Sequence, residues 1–174
     1  MNINRFTRTI AAVAVGILLT NAITPATPAA AADSLQRQID SYLATHPGGT
    51  QINATDLSYS SGQFIVTFGR PPAGAAAATT SICPSGWFCF FTDPDYGGLR
   101  GKLSSCGWQD LAYWGWDNQV MSAYYNLSTG SVDFLNHVGS GGSHATDTVE
   151  FTIGTSRRGA ALVMPTADHV NRHC

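Results

Sequence analysis

Past its first thirty residues the chain changes hydrophobic rhythm twice. Leu35, Ile39, Tyr42 and Leu43 recur at three- and four-residue spacing, which places them on one side of a helix. Asp33 stands where a cap belongs, with Gln36 three residues on as its capping-box partner. His46-Pro47-Gly48-Gly49 ends the helix. The rhythm then becomes strand-like: one strand is expected over 51–59 and another over 63–68, joined by a turn at Ser60-Ser61-Gly62. From residue 81 onward short apolar and aromatic runs alternate with glycine clusters. These predict strands at 87–92, 99–104, 121–126, 132–136, 148–153 and 160–164, and a short helical turn near 108–114. Many short strands with turn signals point to a mainly β protein built as an antiparallel sandwich. A small helix–β-hairpin module precedes it.

The flanking segments divide the chain further. Arg5 and Arg8 precede an apolar run from Ile10 to Leu19, followed by Pro25, Pro28 and the alanines 29–32. A basic start, a short apolar stretch and small residues read as a secretory signal peptide over 1–32. The apolar run is about half the ~20 residues that a membrane-spanning helix requires. Residues 69–80, Gly-Arg-Pro-Pro-Ala-Gly-Ala-Ala-Ala-Ala-Thr-Thr, read as a linker between the module at 33–68 and a main domain at 81–174. The module, of about 36 residues, is too small to hold a core alone. It is expected to pack on the rest of the protein, to bind a partner, or to act as an exported pro-segment.

Composition narrows the function. Only 11% of the 174 residues are charged, against ~25% in an ordinary soluble protein. Removal of the signal takes two of the nine basic residues and none of the eleven acidic ones, leaving a formal charge of −4. Nucleic acid and anionic membrane are therefore poor partners for the mature form. Export places all four cysteines in an oxidising compartment where disulfides persist. Four cysteines allow three pairings. Cys83–Cys89, a seven-residue clip, and Cys106–Cys174, a tether for the last residue, form the favoured arrangement.

Cys83-Pro84-Ser85-Gly86-Trp87-Phe88-Cys89 opens the main domain, and Phe90-Phe91-Thr92-Asp93-Pro94-Asp95-Tyr96-Gly97-Gly98 follows. The second stretch resembles the folded hairpin of a βγ-crystallin Greek key, with Tyr96 over the turn and Gly98 supplying backbone freedom. Trp116-Asp117-Asn118-Gln119-Val120-Met121-Ser122 resembles the segment that leads into the last strand of such a key. In this order and spacing, together with the signal peptide, the motifs resemble the secreted streptomycete metalloproteinase-inhibitor family over residues 81 to about 155. The positions that carry the resemblance are Pro84, Gly86, Phe90, Tyr96, Gly98, Trp116, Asp117, Asn118 and Ser122, beside the cysteines. A second key is expected over 131–174, where Phe134 to Gly142 forms a degenerate hairpin with Ser140 in place of the aromatic.

The resemblance implies a βγ-crystallin-like fold and a secreted, extracellular, non-enzymatic inhibitor. Its partner is expected to be an extracellular peptidase, a zinc metalloendopeptidase above all, blocked by a loop inserted in its cleft. No motif fixes that inhibitory loop; the loop after Gly139 is a candidate by exposure alone. The alternative is a non-inhibitory secreted binding or antimicrobial module, of the killer-toxin kind that also uses crystallin-like folds. No cofactor is expected. Asp117 and Asn118 are weak calcium candidates, because Met121 stands where a ligating hydroxyl belongs. The aromatics Trp108, Tyr113, Trp114, Trp116, Tyr124 and Tyr125 suit a carbohydrate or cell-wall surface, with Trp108 and Trp114 the better surface candidates. His169 and His173 would share a helix face as metal ligands, but a polar tail is the expected reading of the last six residues. No G-x-S-x-G or other catalytic set is visible.

Overall fold

The computed structural model describes residues 28–69, 82–138, 144–161 and 166–174. Residues 1–27 of the expected signal and most of the expected linker lie outside them. Among the described residues one helix and eleven strands form two antiparallel sheets, so the protein is mainly β. A crystallin-like Greek key is compatible with this arrangement. No described helix is long and apolar enough to cross a membrane.

Helix α1 runs from Pro28 to Thr45. It starts five residues before Asp33, so Asp33 lies inside the helix and does not cap it. Proline is tolerated in a first helical turn, and alanine is the best helix former; Pro28 and the four alanines after it carry the helix back across the expected cleavage point. On the inward side Ile39 is fully buried, and Leu35, Tyr42 and Leu43 pack on the core.

Strands β1 (Thr50–Gln51), β2 (Asp56–Tyr59) and β3 (Phe64–Thr67) follow. The single strand expected over 51–59 is two. Asn53 interrupts it, because its Oδ1 accepts from the amides of Thr55 and Asp56 at 2.8 and 2.9 Å. Those amides are thereby withdrawn from a continuous ladder. The β2–β3 turn uses positive φ at Ser60, Ser61 and Gly62.

Then come β4 (Trp87–Phe91), β5 (Arg100–Leu103), β6 (Gly107–Asp110), β7 (Ser122–Asn126), β8 (Ser131–His137), β9 (Asp147–Gly154), β10 (Gly159–Ala161) and β11 (His169–His173). The larger sheet has the order β1-β2-β3-β5-β4-β7-β10 and the smaller β6-β11-β8-β9. Two segments differ from expectation. The turn expected over 108–114 is a strand to Asp110 followed by a 3-10 turn, Leu111–Trp114. The expected polar tail is β11, an interior strand between β6 and β8. Its polar sequence conceals the alternation that matters: Val170 and Arg172 face inward, opposite Phe134 and Val132.

One core spans both sheets and the helix. Ile39, Leu57, Phe64 and Val66 belong to the same buried cluster as Phe88, Phe90, Trp116, Phe134, Ile153 and Val170. Strand β3 pairs with β5 from Phe64↔Leu103 to Thr67↔Arg100. The helix and hairpin therefore continue the sheet and core of the main domain.

Candidate functional site

The start of β4 is held from two sides. Cys83 is bonded to Cys89 across a Cα–Cα distance of 5.6 Å. The Asn126 side chain donates to the Cys83 carbonyl at 2.8 Å, and the Gly86 amide donates to the Asn126 carbonyl at 2.9 Å. Gly86 has φ of 86°, which glycine adopts without steric penalty. Pro84 is half-buried beside it. At the far end of the chain Cys174 is bonded to Cys106, so the end of β11 is fastened to the start of β6.

The segment after β4 folds over. Asp95 and Tyr96 have φ of 53° and 64°. Such left-handed residues are costly outside glycine and are retained only where surroundings fix them. Ser122, fully buried at the start of β7, does this: its hydroxyl donates to the Asp93 carbonyl at 2.8 Å and accepts from the Tyr96 amide at 3.0 Å. The Tyr96 ring then meets Phe91 and Tyr124 edge-on at 5.5 and 5.8 Å. Gly98 is required by space as well as by φ: a Cβ there would lie 2.2 Å from Thr92 Oγ1.

Trp116 is buried against Phe90, ring centroids 5.0 Å apart, and its Nε1 donates to the Tyr42 hydroxyl at 3.0 Å. That hydroxyl donates to the Trp114 carbonyl at 2.7 Å, and burial pushes its pKa well above the usual phenol range. The calcium candidates Asp117 and Asn118 are exposed. Asn118 has φ of 54°, and its amide donates to the Ala167 carbonyl, so the pair forms a turn that docks on the segment before β11. There Asp168 faces Asp117. Burial, then a hydrogen bond shared with the Asp117 carboxyl and its charge, pushes the pKa of Asp168 up to about 6. Met121 is half-buried, with its amide on the Phe91 carbonyl.

Of the aromatic surface candidates, Trp114 is buried and stacks on Phe64 with ring centroids 4.5 Å apart. It is a core residue, because the 3-10 turn points it inward under the β2–β3 turn. Tyr125 is also buried, and Tyr124 is half-buried. Tyr113 is 84% exposed. Together with Trp108, Asp110, Ser60 and Gln63 it borders a groove of about 370 Å³ between the β2–β3 turn and β6.

The outer face of the smaller sheet carries a cluster that no sequence motif marks. Trp108 and Asp110 on β6, His169 on β11, His137 on β8 and Asp147 on β9 meet at one end of all four strands. Asp147 is directly opposite His137 in register, and His169 opposite Asp110. Asp147 Oδ1 lies 3.1 Å from His137 Nδ1, Asp147 Oδ2 lies 2.8 Å from His169 Nδ1, and Trp108 Nε1 donates to Asp147 Oδ2 at 2.9 Å. Burial opposes the charge on Asp147, but these hydrogen bonds and the His169 charge outweigh it and hold the carboxyl below its ordinary value. His169 and His173 share this strand rather than a helix. His173 is paired separately, with Asp133 at 2.7 Å. The loop candidate after Gly139 and the Ser140 position fall largely outside the described residues; Phe134 to His137, read as the start of a hairpin, are part of β8.

No curated protein and no solved structure matches the chain. A family model does, over residues 76–146, a stretch that takes in the disulfide clip, the folded segment pinned by Ser122, the Trp116 turn and β4 to β8. That model describes peptidase inhibitor family I36, and it is through those residues that the chain is similar to the family.

Proposed function

We propose that the mature protein is a secreted inhibitor of an extracellular zinc metalloendopeptidase, acting through a loop presented to the enzyme's cleft. The family match over 76–146 carries this reading. The frame supports it physically. Inhibition by a loop needs the ordering cost met before binding, and two disulfides, one at each end of the main domain, restrict the freedom of the chain around it. An interface of ordinary size would cover about 800 Å² of this protein. The test is titration of the purified mature protein against thermolysin-like, subtilisin-like and papain-like enzymes. Stoichiometric inhibition of the first is expected. No inhibition of any of the three at micromolar concentration refutes the reading.

One observation favours a second reading, a non-inhibitory carbohydrate or cell-wall binder with an antimicrobial role. The groove beside exposed Tyr113 and half-buried Trp108 offers aromatic faces with the polar edges of Gln63 and Asp110. Retention on chitin, cellulose or peptidoglycan, lost in Tyr113→Ala and accompanied by no protease inhibition, would establish it.

A further inference from the structure

We propose that His137, His169 and Asp147 form a site for one Zn²⁺ ion on the outer face of the smaller sheet. Their candidate ligand atoms, two imidazole nitrogens and a carboxylate oxygen, lie within 4.8 Å of one another. They arrive from three strands, so the fold assembles the site. The side chains of His169 and Asp147 are each 4% exposed and that of His137 is 12% exposed. The donors are thus gathered and largely stripped of water before any ion arrives.

The spacing suits the ion. Donors at ~2.0–2.1 Å around tetrahedral Zn²⁺ stand ~3.3–3.4 Å apart. Here the Nδ1 atoms of His137 and His169 lie 3.1 and 2.8 Å from the Asp147 oxygens. An opening of a few tenths of an ångström at these two contacts, with the widest donor pair drawing in from within 4.8 Å, admits the metal. One outer partner of the kind that holds zinc ligands in orientation is in place and a second is nearby. Trp108 Nε1 donates to Asp147 Oδ2, and Asp110 Oδ1 lies 4.0 Å from His169 Nε2, on the side of the ring away from Asp147. Ligation through Nδ1 leaves the Nε2 proton of His169 facing Asp110.

The chemistry selects the metal. Two imidazoles and one carboxylate suit a borderline divalent cation, whereas Ca²⁺ requires six to eight oxygens. Three protein ligands leave a fourth position for water or a ligand from outside. The ion would join β8, β9 and β11, and so clamp the strand ends at His137 and Asp147. The site is independent of the inhibition reading, since no ligand depends on what the protein inhibits.

The test is calorimetric titration of chelator-stripped mature protein with zinc chloride at neutral pH, repeated with Co²⁺ for its visible spectrum. One ion per chain, bound at micromolar affinity or tighter, with tetrahedral Co²⁺ bands, is expected. Asp147→Asn keeps the side-chain volume and His137→Ala changes the most exposed ligand; each should weaken binding by at least about 10–100-fold, the range known for lesser, outer-partner changes. His173→Ala, on the same strand as His169 but paired to Asp133, should bind as the parent does. Absence of binding by the stripped parent overturns the proposal. So does unchanged affinity in Asp147→Asn and His137→Ala, with their folding verified by far-ultraviolet circular dichroism.

Discussion

Phe64 lies on β3, outside the family-matched residues, yet its ring is fully buried among them. It stacks on Trp114 at 4.5 Å and Phe90 at 5.9 Å and meets Trp116 edge-on at 6.0 Å. Phe64→Ala removes this ring from a place with little room to collapse, because Gly101 and Phe90 beside it are fixed by strand pairing. A buried Phe→Ala change costs about 3–5 kcal/mol, a large part of the ~5–15 kcal/mol that holds a domain folded. With a urea slope of about 1.5 kcal/mol/M, the midpoint should fall by about 2–3 M. The assay is urea unfolding of the mature protein, followed by tryptophan fluorescence and by circular dichroism. All four tryptophans lie between residues 87 and 116, so fluorescence reports from within the family-matched region, with Trp114 and Trp116 at its contacts with Phe64 and Tyr42. Both signals should move together. Ile52→Ala, at a side chain 54% exposed, should stay within about 0.5 kcal/mol. If Phe64→Ala leaves the fluorescence midpoint unmoved while circular dichroism shows an earlier, separate loss, residues 28–69 unfold independently and the shared-core argument is wrong.

Three further predictions follow from the same contacts. The two disulfides close loops of very different length, their cysteines being 68 and 6 residues apart; on chain entropy the Cys106/Cys174 double serine variant should lose about 4 kcal/mol and the Cys83/Cys89 variant about 2, and denaturation giving the reverse order would refute that account. Ser122→Ala removes both the donor to the Asp93 carbonyl and the acceptor of the Tyr96 amide; it should cost about 1–3 kcal/mol and speed hydrogen exchange at Tyr96, and unchanged exchange there would show that Ser122 does not hold the segment. At Asp56 burial opposes the charge, but the Thr67 hydroxyl, the Asn53 amide and the Lys102 and Arg100 charges hold its pKa below 3.8. Its stabilising contribution is therefore full above the unfolded value and lost as pH falls through the lower folded value, so Asp56→Asn should be less stable than the parent by a constant amount from about pH 5 to 8 and approach it below about pH 3; a gap that widens on acidification contradicts the sign.

The strands that were readable are those whose inward residues are aromatic or branched. Phe88, Phe90, Phe91 and Tyr125 announce β4 and β7, because short runs of large apolar side chains between turn residues leave a visible pattern. β11 was not readable, since Arg172 takes an inward position and the fully buried Val170 stands between polar neighbours. What makes it a strand is its place between β6 and β8, a long-range fact. The break at Asn53 depends on one side-chain oxygen competing with a ladder, which periodicity does not register. The Ser122 contact was not readable either: the folded segment and the Trp116 segment each resemble a pattern, but nothing in either says that they meet. Nor was the His137–Asp147–His169 cluster, for its members lie 10, 22 and 32 residues apart and meet only through sheet register. The four-residue spacing of His169 and His173 registers one member of the cluster and one histidine outside it.

The sheet edges explain what the helix and hairpin do for the rest of the chain. Without residues 28–69, β5 would border the larger sheet with β4 on one side and open backbone groups on the other. A four-residue edge offers its open backbone groups to another chain. In the full arrangement β3 occupies that side, and the border passes to β1, which is two residues long. The opposite border, β10, is three residues long. Short terminal strands of this kind offer little length on which a foreign strand could pair. β5 is covered by the same strand that delivers Phe64 and Val66 to the core. Closing the edge and completing the core are thus one structural act. A truncation that retained only the family-matched residues would lose both together, which is why the boundary of the family match is not the boundary of the folding unit.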